Sequence, residues 1–105
     1  MDTAPQAAPA CDLHALDTAQ RAERAHLAHQ LHILALETRE LPDGYAVRYP
    51  ADTLSTVAAF VALERRCCPF FRFTLTLDPA DGPLHLSITG LTGTKSILAA
   101  ETGLL

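Results

Sequence analysis

The chain has 105 residues, 49% of them hydrophobic and 19% charged, with a formal net charge of −4. That length supports one domain around one core, and the composition is that of a globular chain. The acidic balance excludes a broad electrostatic grip on nucleic acid or anionic lipid. No apolar run approaches the roughly 20 residues of a membrane helix, so no membrane partner is expected.

Residues 1–10 hold four alanines and two prolines but no branched aliphatic side chain. They are expected to form a disordered tail ahead of a single α+β domain over 11–105. The N-terminus shows neither a basic start nor an apolar signal core, which points to the cytoplasm.

A first helix is expected from about Thr18 to His32. Asp17 would cap it and Gln20 would complete an approximate capping box. Leu27, Leu31 and Leu34, flanked by Ala28 and Ala35, mark its buried stripe. The period then changes to two. Leu34, Leu36 and Thr38 alternate with Ala35, Glu37 and Arg39, and Tyr45, Val47 and Tyr49 alternate with Ala46 and Arg48. Pro42-Asp43-Gly44 between them is turn chemistry, with Gly44 supplying a positive φ. The reading is a hairpin of 33–41 with 44–49, and the competing one extends the helix to Glu40.

Asp52 or Thr53 is expected to cap a second helix, whose stripe of Leu54, Val57, Ala58, Val61 and Ala62 runs to Cys68 and stops at Pro69. A second hairpin follows, with 71–77 and 84–89 alternating around a Pro- and Gly-rich turn. Thr92 or Thr94 would cap a last helix ending near Glu101. The order is α-ββ-α-ββ-α, with a four-stranded antiparallel sheet covered on one face by helices.

Three cysteines, an odd number, do not make a disulfide framework. Cys67 and Cys68 are adjacent at the end of the second helix, beside Arg65, Arg66 and Arg72, whose charges favour thiolates while the helix terminus opposes them. Helical spacing turns Cys68 into the apolar stripe and Cys67 toward its margin. Adjacent cysteines suit a disulfide poorly, but suit a soft ion such as Hg(II), Cu(I) or trivalent arsenic. Zn(II) would ask for four ligands. Cys11, ahead of the first helix, is the natural third ligand. The expected metal site is therefore Cys11, Cys67 and Cys68, the partner a metal ion or small thiophilic ligand, and the role sequestration or handling rather than transcriptional control. Two alternatives stand beside it: a thiol enzyme or redox protein with Cys67 reactive, and a structural or partner-binding domain whose cysteines only pack. His26, His29 and His32 recur three apart on the side opposite Leu27 and Leu31, and read as a solvated face. A homodimer is compatible with the pattern.

Three segments carry a resemblance: Leu41-Pro42-Asp43-Gly44-Tyr45, Leu63-Glu64-Arg65-Arg66-Cys67-Cys68-Pro69-Phe70, and Leu91-Thr92-Gly93 with Lys95. With Cys11-Asp12-Leu13, they make the chain similar, over about 11–102, to a group of small bacterial proteins of unassigned function. The resemblance implies that Cys11, Cys67 and Cys68 belong to one shared pattern. It implies no activity, substrate or cofactor.

Overall fold

The computed structural model describes residues 10–105, so the tail expected over 1–10 lies, except for Ala10, outside the described residues. Three helices and four strands follow in the order α1 (Thr18–Leu34), β1 (Glu37–Leu41), β2 (Gly44–Tyr49), α2 (Leu54–Cys67), β3 (Arg72–Leu77), β4 (Leu84–Thr89) and α3 (Thr94–Glu101). The fold is the expected α+β arrangement, α-ββ-α-ββ-α. The strands form one antiparallel sheet in the order β1-β2-β4-β3, which leaves β1 and β3 at the edges.

Local chemistry explains the starts and stops. Asp17 accepts from the Gln20 N–H at 2.8 Å while the Gln20 side chain accepts from the Asp17 N–H at 3.0 Å, a complete capping box. α1 runs two residues further than expected, to Leu34, and β1 therefore begins at Glu37 rather than 33. Leu34 is not part of the buried stripe. It is 39% exposed, because it sits in the last turn of the helix, past the part that packs on α2. Thr53 precedes α2, but its hydroxyl donates to the Pro50 carbonyl at 2.7 Å and does not cap the helix. At α3 the N-cap is Gly93 at φ 97°, a left-handed conformation that glycine adopts without strain, and neither Thr92 nor Thr94 caps.

Gly44 also differs from expectation. Its φ is not positive; it lies within β2, where an added Cβ would stand 1.9 Å from the Ile88 carbonyl oxygen. The glycine is required by the closeness of β4, not by the turn.

The core lies between the sheet and the helices. Val47 and Tyr49 of β2 and Leu84, Leu86 and Ile88 of β4 are buried with Leu27 and Leu31 of α1, Val57 and Phe60 of α2 and Leu98 of α3. On the same face the β3 residues Phe73 and Leu75 are only half-buried, and Leu54 at the start of α2 is exposed. The core is thus centred on β2 and β4 and thins toward β3. No helix among the described residues is long and apolar enough to cross a membrane.

Candidate functional site

Cys67 is the last residue of α2 and Cys68 its C-cap, the Cys68 N–H donating to the Glu64 carbonyl at 2.8 Å. Both side chains are fully buried. The expectation that Cys67 leans toward the margin is not met, because the buried face of α2 is Val57, Phe60, Glu64 and Cys67 and not the expected stripe, of which Leu54, Ala58 and Ala62 are exposed. The chain ahead of α1 folds over this helix end and closes it.

That segment is held by backbone and arginine hydrogen bonds. The Asp12 N–H donates to the Cys67 carbonyl at 2.8 Å. Leu13–Ala15 forms a single 3-10 turn, started by the Asp12 carboxylate accepting from the His14 N–H. Arg66 donates to the Ala15 carbonyl at 3.1 Å, and Arg21 donates to Leu16 at 2.6 Å. These contacts set the Cα of Cys11 4.6 Å from that of Cys68, and the two residues are joined by a disulfide. The sequence pattern offered Cys11 as a third ligand beside the adjacent pair, and the structure sets it as the disulfide partner of Cys68. A pairing across 57 residues arises because the Asp12 hydrogen bond seats Cys11 on the helix end. The third sulfur, Cys67 Sγ, is free and lies 3.7 Å from Cys68 Sγ.

The charge beside the sulfurs does not come from the expected arginines. Arg65 and Arg72 are exposed, and Arg66 serves the Cys11 segment. It comes from a buried ion pair, Arg24 of α1 with Glu64 of α2. Arg24 Nε donates to Glu64 Oε2 at 2.8 Å and Nη2 to Oε1 at 3.0 Å, a two-pronged contact with Glu64 fully buried. Glu64 Oε1 also lies 2.9 Å from Cys68 Sγ. As a disulfide sulfur Cys68 has no proton to give; as a thiol it would donate to this carboxylate.

Cys11, Glu64 and Cys68 offer donor atoms within 4.8 Å of one another, the one such group of potential metal ligands among the described residues; of the expected ligands Cys11, Cys67 and Cys68 it leaves out Cys67. His26, His29 and His32 are exposed, as a solvated face should be, and His32 Nδ1 lies 3.3 Å from the Leu104 carbonyl oxygen. The Cys67 thiol donates to the Glu64 carbonyl at 3.6 Å. Burial, with the Glu64 charge, holds its pKa above the ordinary value, and nearby Arg24 offsets this only in part.

Arg24 and Glu64 were not anticipated as site residues, yet both leave a signal in the sequence. Arg24 occupies the helical stripe of Leu27, Ala28 and Leu31, and Glu64 that of Val57, Phe60 and Cys67. A charge on the apolar face of each of two helices implies that the charges meet.

The fold and the site define an α+β domain with a buried cysteine cluster backed by an ion pair. No protein-family model, curated protein or solved structure matches the chain.

Proposed function

We propose that the reduced protein binds one soft metal or metalloid ion, Hg(II), Cu(I) or trivalent arsenic, through Cys11, Cys67 and Cys68, and acts in its sequestration or handling. The observation that carries this reading is the convergence of all three sulfurs on one end of α2, with Cys11 bonded to Cys68 and Cys67 3.7 Å away. Soft thiolates select soft ions. The donor set also favours low coordination: the group whose donor atoms lie within 4.8 Å of one another is Cys11, Glu64 and Cys68, with Glu64 engaged by Arg24, and Cys67 would join it from 3.7 Å beyond Cys68. Tetrahedral Zn(II) would have to break that pair to gain a fourth ligand.

Binding requires the disulfide to open. A dithiol reductant supplies two electrons and two protons, and Cys11 and Cys68 become thiols. Arsenous acid then exchanges its three hydroxyls for three thiolates, and the thiol protons leave in three waters. A cytoplasmic setting, in which thiols are kept reduced, fits this requirement.

A competition titration under reducing, anaerobic conditions tests the proposal. Wild type should bind tightly, Cys68→Ser, which removes the sulfur common to both close pairs, should lose tight binding, and Cys67→Ser and Cys11→Ser should each keep a weaker two-thiol site. Wild-type binding no tighter than that of the double Cys67→Ser, Cys68→Ser protein would refute it.

The Cys11–Cys68 disulfide favours a second reading, thiol–disulfide exchange. In that case the exchanging pair is Cys11 with Cys68. A fully buried Cys67 with a raised pKa is a poor attacking thiol at neutral pH. Rapid reduction of the disulfide by a dithiol, without tight ion binding, would support this alternative.

A further inference from the structure

The two edges of the sheet are unlike. β1 carries Glu37, Arg39 and Glu40 among its five residues, and charged side chains on an edge strand deter pairing with another chain. β3 carries a charge only at its first residue, Arg72. From Phe73 to Leu77 it reads Phe-Thr-Leu-Thr-Leu, uncharged and of high β-propensity. It pairs with β4 in unbroken register from Arg72 opposite Thr89 to Leu77 opposite Leu84, so no bulge bends it away. Its outer side meets no strand among the described residues.

The helix-facing side of this edge is also left uncovered. Leu77 is 54% exposed and Leu54, at the start of α2, 37%. Between α2 and β3 runs an open groove of about 700 Å³, lined by Ala58, Val61, Ala62 and Arg65 on one wall and by Arg72, Phe73 and Leu75 on the other. An edge uncharged from Phe73 to Leu77, beside a largely apolar groove that also carries Arg65 and Arg72, is a surface prepared for another strand and its side chains.

We propose that the occupant is a second copy of this chain, its β3 paired antiparallel with β3 about a two-fold axis. One register is singled out by the side chains. Centred on Leu75, it sets Phe73 against the partner's Leu77, Thr74 against the partner's Thr76, and Arg72 against the partner's Asp78. The helix-facing side is then apolar throughout, the solvent side carries threonine pairs, and opposite charges close both ends. A slip of one residue would turn the partner's apolar side to the other face of the sheet. The charges are placed for this. Arg72 is exposed and has no ion-pair partner among the described residues. Asp78 engages His85 through Oδ2 alone, at 3.0 Å. The product is an eight-stranded sheet, with the two α2 helices flanking the axis over the joined grooves. Such a contact is isologous and closed, so it stops at the dimer.

Sedimentation of the full chain tests this. Wild type should sediment at twice 11.3 kDa. Arg72→Asp and Asp78→Arg should each weaken dimerisation about tenfold or more through like-charge contacts, and the double charge-swap variant should restore it. Because Asp78 also contacts His85, an independent variant is Thr74→Lys with Thr76→Lys. It alters only exposed side chains, places lysine against lysine across the axis, and should yield a folded monomer by circular dichroism. A monomeric wild type would overturn the proposal, whatever else then fills the groove. So would a dimer that none of these variants weakens.

Discussion

Arg24 stands where the apolar stripe of α1 would otherwise place a hydrocarbon, and Glu64 does the same on α2. Removing water from both charges is costly, and their two-pronged contact offsets that cost only while both are present. Arg24→Met, which strands the buried carboxylate, should cost about 3–5 kcal/mol in urea denaturation. The double variant Arg24→Met, Glu64→Leu should recover most of the loss. An equal loss in both proteins would mean that packing, not charge, is at stake. Cys67 makes a second prediction at this scale. Its thiol holds its proton more tightly folded than unfolded, because burial and the Glu64 charge raise its pKa above 9.0. Above that pH the unfolded chain gives up a proton that the folded one keeps, so stability falls as pH rises from about 9. Cys67→Ala should flatten this alkaline loss in denaturation measured against pH. The part due to buried Tyr49, whose pKa burial also raises, should remain at higher pH. The cysteines were legible in the sequence as a pair with a third partner. Their depth was not, because it depends on a segment that arrives from 57 residues away in the chain.

Among the elements, α2 and the β3–β4 hairpin were readable because period, turn residues and Pro69 agree. The region of Ile33 to Leu36 was harder, since leucine, glutamate and arginine all tolerate helix. The helix continues to Leu34, and the exposed positions of Ile33, Leu34 and Leu36 show that the apolar pattern there does not report a core face. The same caution applies to β3. Its alternation is as clean as that of β4, yet its inner residues are half-buried while Leu84, Leu86 and Ile88 are buried, since the helices centre on β2 and β4. Leu86→Ala should therefore cost about 2–5 kcal/mol. Leu75→Ala, its cross-strand neighbour, should cost distinctly less, and Thr74→Ala close to nothing. Equal losses at Leu86 and Leu75 in chemical denaturation would contradict this graded cover.

For the whole molecule, the fold class and the order of its elements followed from sequence pattern. The ion pair beneath the sulfurs followed only from bringing α1 against α2. Together they give a buried helix end where Cys11, Cys67 and Cys68 come together over the Arg24–Glu64 ion pair. The thiolate-ion account turns on all three cysteines acting together in the reduced protein. Native mass spectrometry after mild reduction and addition of arsenite, with excess removed, measures this directly. The account predicts a gain of one arsenic and a loss of three hydrogens in wild type, and in Cys11→Ser a gain of one arsenic that keeps one hydroxyl with a loss of only two thiol hydrogens. An unchanged wild-type mass, or an arsenic adduct that has lost only two hydrogens in wild type and Cys11→Ser alike, would contradict it.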